Sequence, residues 1–166
     1  MKVADDKGAQ IFNATDPNMK AFKERGGKLL LYHGWSDAAI PPVNTINYYE
    51  SVVAKMGRKQ ADEFVELFMV PGMQHCGGGP GPNDFGALSP AGADAEHSMI
   101  KSIEQWVEKG TAPAKIVATK YKGDGNPASG VVRTRPLCPY PKFAQYTGGP
   151  AGSEDATSFT CVAPSD

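Results

Sequence analysis

Two short apolar runs separated by an amphipathic segment constrain this chain more than any other feature. The first, Leu29-Leu30-Leu31-Tyr32-His33, leads into Gly34-Trp35-Ser36-Asp37. The second, Phe64-Val65-Glu66-Leu67-Phe68-Met69-Val70, leads into Pro71-Gly72-Met73-Gln74-His75-Cys76. Each run has the length of a strand and is bounded by Gly or Pro. Apolar residues recur at helical spacing between them, which spells a βαβ unit whose parallel strands are buried on both faces. In a parallel sheet both strands end on one edge, where ligand crevices open. Asp37 and His75 follow those two ends, so the topology makes neighbours of residues far apart in sequence. An acid beside a histidine is what acid-base chemistry requires.

The connecting helix is expected over Val43–Lys55, because Pro41-Pro42 blocks an earlier start and Gly57 supplies a stop. Val43, Ile46, Tyr48 or Tyr49, Val52 and Val53 form its sheet-facing stripe. Residues 1–15 are mostly polar and read as a connector, after which Asp16-Pro17 acts as N-cap and first-turn proline for a short helix over Asn18–Arg25. Arg58–Asp62 turns the chain into the second strand, Glu63–Val70. A third helix is expected over Asp94–Lys109, with Ile100, Ile103, Trp106 and Val107 on one face and Gly110 as its stop; His97, near its start, reads as a surface residue. Lys115–Tyr121 and Val131–Arg135 flank the turn-rich Gly123-Asp124-Gly125-Asn126-Pro127 and read as an antiparallel pair at a sheet edge. Residues 136–166 form a loop-rich tail. A disulfide between its Cys138 and Cys161 would stabilise it by roughly 3 kcal/mol.

Composition removes several function classes. Seventeen basic residues against eighteen acidic ones leave no basic footprint for nucleic acid and no membrane-surface patch. No apolar run is long enough to span a bilayer, and the polar Lys2–Asp6 after Met1 does not read as a signal peptide. On these grounds the chain is either a cytosolic protein or a piece of a longer secreted one. The three cysteines include no C-x-x-C and the three histidines do not cluster with them, so no zinc site is expected. An odd cysteine count points to a free thiol or to a partner elsewhere. The glycine-rich stretch from Gly77 to Ala95 lacks a G-x-x-x-x-G-K-[ST] pattern and reads as an irregular loop that gives the backbone room beside a pocket, not as a phosphate cradle.

A hydrolytic triad needs a nucleophile, a histidine that accepts its proton and a carboxylate that orients the imidazole. In α/β-hydrolases these follow the chain order nucleophile, acid, histidine, and Asp37 followed by His75 fits the last two. The residues around them say more. His33-Gly34-Trp35-Ser36-Asp37-Ala38-Ala39-Ile40-Pro41-Pro42 and Val70-Pro71-Gly72-Met73-Gln74-His75-Cys76-Gly77-Gly78-Gly79-Pro80 resemble the acid and histidine segments of the tannase and feruloyl esterase family. The likeness runs from about Asp16 through Trp106 to Arg135-Pro136-Leu137-Cys138 and Phe159-Thr160-Cys161, which look like the closing disulfide of that family.

The resemblance implies the C-terminal part of an α/β-hydrolase fold, residues 1–166 belonging to one catalytic domain. It implies a secreted or periplasmic serine carboxylesterase acting on feruloyl, galloyl or terephthaloyl esters. Asp37 would be the triad acid, His75 the general base, and Cys76 half of a disulfide clamp to a cysteine beside the nucleophilic serine. Trp35 would either line the aromatic substrate's pocket or pack under the active-site loop. No Gly-x-Ser-x-Gly and no Cys-Ser pair occurs in the chain, and Ser36 lacks the strand-turn-helix setting of a nucleophile. The chain alone is therefore expected to be inactive, with the N-terminal part of the hydrolase as its partner, joined through Cys76 if the two are separate polypeptides, and with no cofactor of its own; calcium would belong to the family's lid domain. Strands meant for the middle of a larger sheet would favour self-association or domain swapping. The rival reading is a stand-alone binding module descended from an esterase.

Overall fold

A computed structural model describes residues 2–88, 94–123 and 125–165. Residues 89–93 of the expected glycine-rich loop and Asp124 of the expected turn lie outside the described residues. The βαβ unit is present. Strands β1 (Leu29–Gly34) and β2 (Val65–Val70) pair in parallel, Leu29 opposite Val65 and Gly34 opposite Val70. They flank helix α3 (Val43–Met56), which follows α1 (Lys2–Phe12) and α2 (Lys20–Glu24); the short α4 (Arg58–Ala61) leads into β2.

Strand alternation sorts the core into two faces. Val65, Leu67 and Met69 of β2, with Leu29 and Leu31 of β1, pack on Ile46, Tyr49 and Val52 of α3. Phe68 and Val70, with Leu30 and Tyr32, pack on the other side against Met73, Phe85 and Met99. The same cluster takes in Ile116 and Ala118 of β3 (Ile116–Tyr121) and Leu137 of β4 (Val131–Leu137). Met99 opens α5 (Met99–Lys109), which Ser98 caps by accepting from the Lys101 amide and Gly110 closes in the left-handed conformation.

Several expectations are corrected. Only β2 is buried on both faces; five of the six residues of β1 are half-buried. The reason lies in the edges. β2 is paired with β1 on one side, and on the other the Tyr140 amide donates to the Leu67 carbonyl and Phe68 bridges Pro139. Among the described residues no strand covers the far edge of β1. Val43 is exposed and does not join the α3 stripe, and on α5 the buried face is Met99, Ser102 and Trp106, leaving Ile100 and Val107 in solvent. The Ser102 hydroxyl satisfies itself on the Ala95 carbonyl, so a polar residue holds a core position.

Residues 2–12, within the stretch read as a connector, are helical. Asp16 accepts from the Asn18 amide, but helix α2 begins only at Lys20. Strands β3 and β4 pair antiparallel as expected but form their own two-stranded sheet. The tail is more regular than its composition suggests: β5 (Phe143–Tyr146) and β6 (Phe159–Val162) pair antiparallel. The disulfide joins Cys138 to Cys161, with Cα atoms 5.6 Å apart across a separation of 23 residues, and so staples β6 to the end of β4.

One carboxylate in β2 is poorly served. The Glu66 Oε2 is buried without a hydrogen-bond partner, and desolvation, aided by the nearby Asp62, raises its pKa to about 7. Folded Glu66 therefore holds its proton where the unfolded residue has lost it, so the fold loses stability as pH rises from about 4.5 to about 7. Replacing Glu66 by Gln should stabilise the chain by about 1–2 kcal/mol at pH 8 and by nearly nothing at pH 4. Denaturant melts at the two pH values check this; equal effects at both would count against the unpaired carboxylate as the cause.

Candidate active site

The loops that leave β1 and β2 are tied together before any side chain is considered. The Trp35 amide donates to the Val70 carbonyl at 3.0 Å and the Ser36 amide to the Met73 carbonyl at 3.0 Å. The second loop folds back on itself through Gly81 N to Gly72 O and Gln74 N to Gly78 O, each 3.3 Å. A Cβ on Gly81 would run into the Pro71 carbonyl, which explains glycine there. Asn83 braces the loop by donating to the carbonyls of Gly78 and Gly81, both at 3.1 Å.

Asp37 sits in the first loop with its side chain only 4% exposed, and His75 in the second with its ring 53% exposed. They meet: His75 Nδ1 lies 2.8 Å from Asp37 Oδ2. The other oxygen, Oδ1, accepts the amides of Ala39 and Ile40 at 2.8 and 2.9 Å. The Ile40 amide, then His75 and the Ala39 amide, outweigh desolvation and hold the carboxyl far below the usual carboxylate range. A permanently ionised Asp37 requires the proton on His75 Nδ1. No hydrogen bond among the described residues occupies Nε2, which remains available as a base on a ring that is more than half exposed.

A second histidine touches the same carboxylate, and the sequence reading missed it. His33 Nε2 lies 3.1 Å from Asp37 Oδ2 and 3.1 Å from the Ile40 carbonyl, and its Nδ1 lies 2.7 Å from Thr45 Oγ1. His33 follows Leu29 and Leu31 on the face of β1 that packs on α3, which brings it to Thr45 in the first turn of that helix. The available signal was a polar residue inside an apolar strand, which needs a partner once buried.

The remaining site residues divide. Cys76 follows His75, exposed, unpaired within the chain and at φ +60°. Trp35 is half exposed and lines a cavity of about 170 Å³ with Met69, Pro71, Tyr140, Pro141 and Phe143; neither Asp37 nor His75 lines it. Ser36 contributes its amide to the loop crossing, and His97 is exposed and paired with Asp94. Among the described residues no cluster of three or more His, Cys, Asp or Glu could hold a metal, and no helix is long and apolar enough to cross a membrane.

A strand-end acid and histidine on adjacent parallel strands, covered by helices, are the architecture of an α/β-hydrolase. Two solved esterases share it: an esterase from Aspergillus oryzae (TM-score 0.80, 35% identity, 89% of this chain and 30% of that one) and feruloyl esterase B from the same organism (TM-score 0.78, 32% identity, 89% and 29%). The family model for tannase and feruloyl esterase matches residues 2–162, and the chain belongs to that family. Its relatives include an uncharacterized esterase of Xanthomonas campestris, 46% identical over 96% of this chain and 30% of its own length. The mono(2-hydroxyethyl) terephthalate hydrolase of Piscinibacter sakaiensis is 44% identical over 91% and 22%. The chain thus spans less than a third of these relatives.

Proposed function

We propose that this chain is the C-terminal portion of a secreted or periplasmic serine esterase for aromatic carboxylic esters, and that it supplies the triad acid and base. The observation that carries the reading is the 2.8 Å contact between His75 and an Asp37 whose other oxygen is saturated by two amides. The nucleophilic serine comes from polypeptide outside these residues. Its hydroxyl proton passes to His75 Nε2 as the oxygen attacks the ester carbonyl, and His75 returns that proton to the departing alcohol, leaving an acyl-serine. Water, deprotonated by the same nitrogen, then releases the acid. Asp37 keeps its negative charge throughout and stabilises the imidazolium of each step. Cys76, exposed beside the base, pairs with a cysteine next to the serine and so ties the two catalytic segments together. The lid that selects the acid, and any calcium it holds, belongs to the absent portion.

The missing strands add along β1, whose far edge is open among the described residues; in the isolated chain that edge favours pairing with a second copy. The test compares two proteins on methyl ferulate, methyl gallate and a terephthalate monoester: the chain alone, and the chain extended N-terminally from its own gene to the length of its relatives. We expect no turnover from the first, which elutes as a self-associated species, and turnover of at least one ester by the second. An inactive extended protein overturns the esterase reading, and turnover by the short chain overturns the assignment of the nucleophile to the absent portion.

A further inference from the structure

We propose that His33 and Thr45 are positioning residues for the acid-base pair: the Thr45 hydroxyl donates to His33 Nδ1, and His33 Nε2–H donates to the same Asp37 oxygen that His75 uses. The direction of the relay follows from the acceptors. His33 Nε2 faces Asp37 Oδ2 and the Ile40 carbonyl, both 3.1 Å away and neither able to donate, so this nitrogen must carry a proton. In neutral His33 the other nitrogen is then bare, and only a hydroxyl donor satisfies it; Thr45 Oγ1, at 2.7 Å, is one. The imidazole is 11% exposed, so water is a poor substitute.

The consequence falls on Asp37. Its Oδ1 is held by two amides and its Oδ2 by two imidazoles, which fixes both the depth and the rotation of the carboxyl plane. Without His33 only His75 holds Oδ2, so the carboxyl can tilt about the Oδ1 that Ala39 and Ile40 anchor, and Oδ2 stands less squarely in line with His75 Nδ1. The relay also couples the site to helix α3, because Thr45 lies in its first turn. His33 and Thr45 bear on ester hydrolysis only if His75 is the base proposed above, yet their effect on His75 can be read without any substrate.

Two-bond nitrogen–proton correlation of the histidine rings in the 166-residue chain supplies that reading. In the unmodified protein near neutral pH, neutral His33 should be the Nε2–H tautomer and neutral His75 the Nδ1–H tautomer. Replacing His33 by Leu should lower the Nδ1–H to Nε2–H ratio of His75 about fivefold, the equivalent of one net hydrogen bond. His33→Gln, which keeps a donor at the same reach, should restore much of it. Thr45→Val should move the ratio in the same direction by less, and Thr45→Ser should leave it unchanged. His33 found as Nδ1–H in the unmodified chain overturns the relay whatever the variants do. So does an unmoved His75 ratio in folded Thr45→Val and His33→Leu; should His33→Leu not fold, Thr45→Val decides. A relay confirmed here in a protein whose extended form hydrolyses no ester would retain the geometry and remove its catalytic meaning.

Discussion

In the esterase proposed above, replacing His75 by Ala in the N-terminally extended protein is expected to lower kcat by about 10⁴- to 10⁶-fold with little change in KM. The imidazole is more than half exposed and its only hydrogen bond among the described residues goes to Asp37, so the fold should survive the truncation and the loss should be chemical. Asp37→Asn should cost about 10⁴-fold, because an amide at Oδ2 or Oδ1 no longer dictates a proton on His75 Nδ1. The two losses should not add, since each disables the same proton transfer. Turnover numbers for the two single variants and the double variant check this; near-original activity in His75→Ala would remove His75 from the chemistry. Acid sensitivity should follow the sign of the Asp37 perturbation. Its folded carboxyl ionises more readily than its unfolded one, so its contribution to stability is present above about pH 4 and is lost as pH falls further.

Gly34→Ala should also be damaging, to a smaller degree and through geometry alone. Gly34 is the last residue of β1, and a Cβ built on it would overlap the Met73 carbonyl and press on that of Gln74. Both obstacles are backbone, in the segment that carries His75, so neither can rotate away. The added methyl must separate the two loops, break the Ser36 amide to Met73 carbonyl bond and shift His75 relative to Asp37. We expect about 2–3 kcal/mol of lost stability and about 10²-fold in kcat from a displacement near 1 Å. A thermal melt with kinetics on the same preparation checks both, and an active, equally stable Gly34→Ala would mean that the loops are not in such close contact.

What the sequence made legible were features with a period or a boundary. The βαβ unit announced itself because β2 is apolar at nearly every position and α3 repeats its apolar residues at helical spacing. Asp37 and His75 followed from the topology, since each lies just past a strand end. Features decided by contact rather than pattern were not legible. On α5, Ile100 and Val107 are more apolar than Ser102, yet Ser102 is buried because a carbonyl waits for its hydroxyl. Strands β5 and β6 have mostly exposed or half-buried residues and so lack the alternation that marks a half-buried strand. Helix α1 leaves Val3, Ile11 and Phe12 in solvent, giving no apolar stripe to read. The role of His33 was missed for a related reason: its place in an apolar strand was a signal, but the partner that makes sense of it, Thr45, lies on another element.

The two loops that hold the acid and the base belong to one uninterrupted stretch of chain, and the histidine stands only 38 residues beyond the aspartate. The Ala39 and Ile40 amides and Thr45 lie inside that stretch, and His33 and Asn83 lie close beyond its ends, so the loop to be closed is short, and loop-closure cost grows only slowly with length. Later chain completes the support of that acid-base unit, since Pro139 and Tyr140 cover the outer edge of β2 and Ile116, Ala118 and Leu137 pack on its second face. The Cys138–Cys161 staple thereby fastens, from outside the Asp37–His75 stretch, the segment that closes the edge of β2.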